Sequence, residues 1–202
     1  AMAPAAAQLG MSALAVTDHG NLFGAISHYR SCRDAGVKPI LGCEVYVAIG
    51  SRHERKGARG LTHGSNHLVL LAKNETGWRN LVKLVSRGYT EGFYYNPRID
   101  KELLRSHSEG LVCLSACVSG EVAHLIQEEG VDTAEEAVRE YLDIFGDDYY
   151  LEIQRHGIDI EAKVNDGLLR LHKKMGVPLV ATNDFHFLSA DDHEAHDALI
   201  CI

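Results

Sequence analysis

The sequence lacks a long apolar run and is poor in positive charge. No hydrophobic stretch approaches the ~20 residues that cross a bilayer, and the opening AMAPAAAQLG lacks the charged start and apolar stretch of a signal peptide. With 20 Lys and Arg against 28 Asp and Glu, the formal charge is −8. This charge disfavours binding of nucleic acid by this chain alone. We therefore expect a cytoplasmic protein with no membrane partner, whose contact with DNA would be local or supplied by another domain.

Closely and regularly spaced cysteines, the mark of a secreted disulfide scaffold, are also missing. The five cysteines form an odd count, so we expect reduced thiols. Cys32, Cys43, Cys113 and Cys201 fall within apolar or helical patterns and are interpreted as core residues. Cys117 differs because it stands at a predicted strand end, among small and polar residues.

Alternating strand and helix patterns fill most of the 202 residues, whose composition, 46% hydrophobic and 24% charged, fits one globular domain. Strands are predicted at 13–16, 39–47, 67–72, 111–115, 149–153 and 178–181. Helices are predicted at 21–35, 75–87, 133–145 and 158–175, each followed by a glycine suited to a helix C-terminus. This alternation favours an α/β fold with a mostly parallel sheet, open or closed into a barrel. The stretch 52–65 has no periodicity and is predicted to be an exposed loop.

Residues of the types that bind metals lie at or near the ends of the predicted strands, far apart in sequence. They are His19 after ALAV, Glu44 inside PILGCEVYV, His67 at the start of HLVLLA, Cys117 after LVCLSA, and Asp184 with His186 after PLVATN. Strand ends in barrels and open α/β sheets face one pocket, so ligands scattered in this way can converge there. The pattern predicts a polynuclear metal site.

The first two candidates also have structural interpretations, which the sequence leaves open. Asp18 could cap a helix with His19 merely packed beside it, and Asn21 competes for the capping role. Glu44 could point to solvent from an edge strand. A carboxylate inside an otherwise apolar strand is nevertheless costly unless it is paired or bound to a cation.

The other candidate residues differ in how strongly the sequence favours a metal-binding role over a structural one. His67 begins its strand, which fits the strand-end rule poorly, so a structural role is open. Asp184 and His186 alternate so that both project to the same side of an extended segment, and this is the strongest local signal. His156 follows a strand and is a candidate pocket residue. The pair His193 and His196 resembles a metal pair on a predicted helix, but flanking acids favour a solvated first turn.

Longer segments resemble one family. They are LGMSALAVTDHGNLFGAISHYRSCRDAGVKPILGCEVYVA, NHLVLLAKNETGWRNLVKLVS, GFYYNPRIDKELL, CLSACVSGE and PLVATNDFHFL. In order, and across almost all of the chain, they resemble the N-terminal PHP (polymerase and histidinol phosphatase) domain of bacterial replicative DNA polymerase III alpha subunits. The resemblance implies an irregular seven-stranded β/α barrel whose site holds up to three divalent metal ions on nine residues. Zinc is the first choice of metal, with manganese or iron as alternatives.

The resemblance assigns six of those nine ligand positions in this sequence: His19, Glu44, His67, Cys117, Asp184 and His186. The other three belong to an opening strand of the form HxHTxYSxxDG, which the sequence does not contain. Residues 1–202 are therefore expected to be a PHP domain truncated at both ends, with polymerase domains following after residue 202. As written, the chain is expected to be inactive as a nuclease.

Three functions from different classes are open at this point. The first is metal-dependent 3′ to 5′ removal of nucleotides, a proofreading exonuclease, within a parent DNA-directed DNA polymerase. Metal-bound hydroxide would then be the nucleophile, so no side chain is assigned a catalytic role. The second is a structural domain of the same polymerase that helps to bind other replicative subunits, such as a separate proofreading exonuclease. The third is a free-standing metallophosphatase that acts on a small ester.

Overall fold

The computed structural model describes residues 2–55 and 64–201. Its strands are β1 (Ala13–Val16), β2 (Lys38–Ala48), β3 (Ser65–Ala72), β4 (Phe93–Tyr94), β5 (Asn96–Ile99), β6 (Leu111–Leu114), β7 (Tyr149–Ile153) and β8 (Leu179–Ala181). Its helices are α1 (Met2–Gln8), α2 (Ala25–Asp34), α3 (Glu75–Thr90), α4 (Lys101–His107), α5 (Glu121–Glu128), α6 (Val131–Phe145), α7 (Asp159–Met175) and α8 (His193–Ile200). All six predicted strands are present within a few residues. The short elements β4, β5, α4 and α5 lie outside the predicted set.

Strand β2 is the centre of the sheet. In parallel, β1 pairs with residues 38–41 of β2 and β5 pairs with residues 46–47, while antiparallel β3 covers the other edge along residues 42–48. Strands β6, β7 and β8 follow beyond β3, and β4 lies outside β5. Among the described strands, β3 and β4 run against the other six. The prediction of an α/β fold with a mostly parallel sheet is confirmed, and the sheet curls into a half-barrel.

Side-chain alternation along the strands gives the sheet two different faces. The outer face packs on α3 to α7 and forms the main core, whose strand residues include Cys43, Val45, Leu68, Leu70, Cys113, Tyr149 and Leu151. The inner face carries a smaller apolar cluster built around Val69, Leu114 and Ala116. Because successive side chains of a strand point to opposite faces, Glu44 projects inward between its two core neighbours on β2.

The segment 52–65 departs from the predicted exposed loop at both of its described ends, while residues 56–63 lie outside the described part. Arg52 is 8% exposed. Its guanidinium binds both carboxylate oxygens of Asp100, at 2.9 and 3.0 Å, and Glu91 at 2.8 Å. Ser65 is buried at the start of β3. The charge of Arg52 is tolerated there because two carboxylates occupy its donors.

The cysteine predictions are confirmed at three positions and wrong at one. Cys32, Cys43 and Cys113 are fully buried, whereas Cys201 is exposed just after α8. Leu199 and other apolar side chains of this helix are exposed in the described chain. The apolar pattern around Cys201 therefore does not indicate burial in the core. Among the residues described, no helix has both the length and the apolar character needed to cross a membrane.

Candidate metal centre

Glu44 is the buried carboxylate of the site. Only 4% of it is exposed, and β2 is paired along both edges, so the solvent-facing alternative is wrong. His19 Nε2 lies 3.4 Å from Glu44 Oε1, and His67 Nδ1 lies closer still. Even so, no described donor makes a well-aligned hydrogen bond to Oε1. Two imidazole nitrogens and a carboxylate oxygen that converge without an aligned N–H between them are arranged as ligands of a shared cation would be.

His19 is presented by a turn between β1 and α2. Asp18 Oδ2 accepts a hydrogen bond from the Gly24 backbone N–H at 3.1 Å, and Asn21 Nδ2 donates to the His19 carbonyl at 2.9 Å. These bonds hold the turn in a non-helical form, so α2 begins at Ala25 and not at Asn21 as predicted. Asp18 therefore accepts a hydrogen bond from the residue just before α2, close to the capping role that the sequence left open. His19 is nevertheless not packed away, because its ring faces the cavity.

The reversed direction of β3 explains how a residue at the start of a strand reaches the site. His67 pairs with Tyr46 in the β2–β3 ladder, two residues beyond Glu44 on the same face. A further bridge joins His67 to Gly120, whose backbone N–H donates to the Cys117 carbonyl at 2.9 Å. Cys117 Sγ therefore comes within 3.9 Å of His67 Nδ1.

Asp184 and His186 follow β8 and line the same cavity, of about 790 Å³, as His19, Glu44 and Cys117. The ring centroids of His186 and His19 lie 5.5 Å apart. His186 Nδ1 lies 2.9 Å from the Asp184 carbonyl oxygen. That oxygen only accepts, so we assign the proton of His186 to Nδ1, which leaves the lone pair of Nε2 free for a metal.

The structure thus brings the six predicted ligands together in two groups. The Glu44 side consists of His19, Glu44, His67 and Cys117, and the Asp184 side consists of Asp184 and His186. Ligand atoms of His19, Glu44 and His67 lie within 4.8 Å of one another. Imidazole, thiolate and carboxylate donors together suit Zn²⁺ and similar borderline ions. The residues therefore fit a divalent metal, and the unsatisfied Glu44 oxygen supports that fit.

Charges on the Glu44 side are strongly coupled. Burial alone would raise the pKa of Glu44, but contacts with His19 and His67 outweigh it and lower that pKa to about 2. Burial lowers the pKa of His67, and contacts with Cys117 and Glu44 outweigh that effect and raise it to about 10. The contact with Glu44 likewise raises the pKa of His19. In the metal-free protein, a proton on His67 therefore supplies positive charge beside Glu44, as a divalent ion would.

The cavity holds a second buried carboxylate, Glu152, which was not predicted from the sequence. It projects inward from β7, is 5% exposed, and lines the same cavity. Its Oε1 accepts from Gln154 Nε2 at 3.1 Å and from the Thr182 hydroxyl, whereas Oε2 has no described donor. Burial raises the pKa of Glu152, and the charges of Glu44 and Asp184 act in the same direction. The available signal was a carboxylate inside the apolar strand YYLEI, the same signal that marks Glu44.

Among the described residues, three other histidines belong neither to the lining of the cavity nor to the group of converging ligand atoms. His156 Nε2 lies 2.8 Å from the Asn183 carbonyl oxygen, so the ring lies beside the site and not in it. His193 Nδ1 lies 3.0 Å from the Ala190 carbonyl oxygen. The His196 ring packs near that of His186, with centroids 5.6 Å apart. The first turn of α8 is thus largely solvated, as the alternative interpretation expected.

Comparisons with known proteins agree with this geometry. The model of the PHP domain family matches residues 1–156, a range that contains the whole Glu44 side. DNA polymerase III subunit alpha of Thermus aquaticus is 50% identical over 190 residues, covering 94% of this chain and 16% of that protein. The corresponding subunit of Treponema pallidum is 48% identical over 198 residues, covering 98% of this chain and 17% of that protein. The chain therefore spans about one sixth of the length of these curated relatives.

A solved structure shares the fold. It is a candidate metal-dependent phosphoesterase from Bifidobacterium adolescentis, with a TM-score of 0.54 and 13% sequence identity, covering 92% of this chain and 81% of that one. At this identity the similarity concerns the architecture alone. The family match, which covers residues 1–156, shows that the chain belongs to the PHP domain family.

Proposed function

We propose that the chain is the N-terminal PHP domain of a bacterial DNA polymerase III alpha subunit, which acts on DNA in the cytoplasm beside other replicative subunits. Its own chemistry would be metal-dependent hydrolysis of phosphodiester bonds at DNA 3′ ends. The similarity to polymerase alpha subunits supports the first statement. The second depends on one observation: the buried Oε1 of Glu44, without an aligned donor, faces nitrogens of His19 and His67. Nucleotidyl transfer would belong to the rest of the parent protein.

The ligands would hold divalent ions from two sides. The Glu44 side offers two imidazoles, a carboxylate and a thiol, and the Asp184 side offers a carboxylate and a third imidazole. We propose zinc, with manganese or iron as alternatives, and up to three ions where further ligands complete the site. Bound ions would neutralise phosphate oxygens and make water a better nucleophile at neutral pH.

The side chains of the cavity give the site its charge and polarity. The carboxylates of Glu44 and Asp184 would repel a phosphodiester in the absence of cations. Cavity-lining side chains of Val69, Leu114 and Val180 form an apolar wall against one side of the site. Such a wall limits access of water and strengthens interactions between charges.

The direct test uses the complete natural protein that contains this chain. Metal content is measured first, and digestion of 5′-labelled single-stranded DNA is then followed with added Mn²⁺ or Zn²⁺. Asp184→Asn removes a ligand charge from the cavity, and Asp191→Asn is the matched control on the same exposed segment. We expect metal-dependent 3′ to 5′ digestion that falls at least about 100-fold in Asp184→Asn and is unchanged in Asp191→Asn. A protein that binds no divalent metal at the site would overturn the proposal.

A non-catalytic domain of the same polymerase is the second candidate. The observation that favours it is the lining of the cavity, which within the described residues includes neither lysine nor arginine to bind a phosphate. Metal binding that stabilises the protein without any digestion would support this candidate. Digestion lost in Asp184→Asn but retained in Asp191→Asn would exclude it.

A further inference from the structure

His156 connects the end of β7 to the loop that carries Asp184. Its Nε2 lies 2.8 Å from the Asn183 carbonyl oxygen, and its Nδ1 lies 2.6 Å from Glu161 Oε1. Both ring nitrogens face acceptors, so a ring that carries both protons donates in two directions. The contact with the Asn183 carbonyl, followed by that with Glu161, raises the pKa of His156.

Glu161 holds the His156 ring at Nδ1, the nitrogen that does not face Asn183. This carboxylate is 5% exposed and lies in the first turn of α7, where the helix dipole favours negative charge. Its Oε2 also accepts from the His156 backbone N–H at 2.6 Å and from that of Ile158 at 3.4 Å. The ring is therefore held by a group that is itself anchored to a helix.

The contacts of His156 lead to Asp184, whose backbone conformation is unfavourable unless surrounding contacts hold it. Asp184 has φ +42°, in the left-handed region that residues other than glycine adopt when surrounding contacts hold them. The peptide group between Asn183 and Asp184 sets this angle, and its carbonyl oxygen is the atom that His156 faces. The Asp184 carbonyl in turn lies 2.9 Å from His186 Nδ1. Fixing Asp184 therefore also helps to fix the ring of His186.

We propose that His156, anchored by Glu161, is a positioning residue that holds Asp184 and His186 in the geometry needed to bind metal. This inference rests on the metal site proposed above and assigns a role to two residues outside its ligand set. Groups that orient metal ligands without touching the metal affect affinity by about 10- to 100-fold.

Two amide substitutions separate the contacts of His156. In His156→Gln, the longer amide places a donor near the position of Nε2 and can keep the bond to Asn183. In His156→Asn, the shorter amide lies near the position of Nδ1 and can keep only the bond to Glu161. Both variants remove the ring charge, so they differ chiefly in which contact survives. The ladder between β7 and β8 and the Thr182–Glu152 hydrogen bond hold β8 in either case, so both variants should fold.

The measurement is Zn²⁺ affinity of the complete protein, by competition with a fluorescent chelator, alongside thermal melting in chelator. We expect His156→Asn and Glu161→Gln to weaken affinity by about 10- to 100-fold, with His156→Gln retaining most of it. His172→Ala is the matched control, since it removes a similar contact, 2.7 Å from His172 Nδ1 to the Val177 carbonyl oxygen, outside the site.

The outcomes separate this inference from the proposed function. If the unsubstituted protein binds no Zn²⁺ at the site, the proposed function fails and this inference fails with it. If it binds Zn²⁺ and His156→Asn binds as tightly, the positioning role alone is wrong. Equal losses in His156→Asn and His172→Ala, with equal losses of thermal stability, would reveal a general structural effect and would also contradict the positioning role.

Discussion

The two sides of the candidate metal centre are built in different ways. On the Glu44 side, the carboxylate lies inside an eleven-residue strand that is paired along both edges, and His67 lies in the adjacent strand. On the Asp184 side, both candidate ligands follow a three-residue strand, His186 is exposed, and Asp184 has a positive φ. The first side is fixed by backbone pairing, and the second depends on hydrogen bonds to a loop.

This difference indicates where binding energy comes from. Backbone pairing between strands holds these side chains in place whether or not a metal is bound, so the Glu44 side is preorganised. The strongly coupled charges of the site also lie on this side. A loop held by a few polar contacts loses more freedom when a ligand fixes it. We therefore expect substitutions on the Glu44 side to remove metal binding and those around the Asp184 side to weaken it by degrees.

The largest expected effect is that of Glu44→Gln. This change keeps the volume of the side chain but removes the negative charge between His19 and His67, so Zn²⁺ affinity should fall by more than about 100-fold, beyond the losses typical of residues that only orient ligands. Chelator competition measures the change. Glu75→Gln, on an exposed position of α3, is the control and should bind as the unsubstituted protein does. A Glu44→Gln variant with unchanged affinity would mean that the two sides do not differ as described.

A smaller effect is expected in the pH dependence of the metal-free protein. The pKa of Glu44 is lowered from 4.5 to about 2, so its stabilising contribution is present above pH 4.5 and is lost as the pH falls toward 2. The pKa of His67 is raised from 6.5 to about 10, so its contribution is present below pH 6.5 and is lost as the pH rises toward 10. The coupled contribution should therefore be largest between pH 4.5 and 6.5.

Denaturant unfolding in the presence of chelator, at pH 6 and pH 9, measures this contribution. The free energy of unfolding should drop between these pH values by more in the unsubstituted protein than in Glu44→Gln, because the variant lacks the carboxylate that stabilises the imidazolium groups. Identical pH profiles would show that the Glu44 side is not coupled in the metal-free state.

The smallest expected effect concerns His196, which neighbours the Asp184 side without belonging to it. Its ring lies near those of His186 and Phe187, but in the described part of the chain His196 does not line the cavity that His19, Glu44, Asp184 and His186 share. His196→Ala should therefore change Zn²⁺ affinity by less than the ~10-fold lower limit for residues that orient ligands. A larger loss in the same chelator competition would extend the Asp184 side into α8.

The fold was predictable from the sequence where the periodicity or the apolar run is strong, as in α3, α7 and the six predicted strands. The short elements were not, for local reasons. Helix α4 has seven residues and begins where Asp100 accepts from the Leu103 backbone N–H at 2.9 Å, and β5 contains Pro97, which weakens a strand signal. Burial of Arg52 was also unpredictable, because its partners Glu91 and Asp100 are far away in sequence.

The sequence by itself determined the types of the candidate ligands and their positions inside or beside strands, because a carboxylate in an apolar strand and an Asp-x-His after a strand are local features. Only the tertiary structure decided which of them meet. Antiparallel β3 brings His67 from the start of its strand to Glu44, and curling of the sheet places His186 beside His19. Strand direction and curvature arise from pairing between distant segments, so no local pattern encodes the distance between two candidate ligands or the contacts of Glu152 and His156.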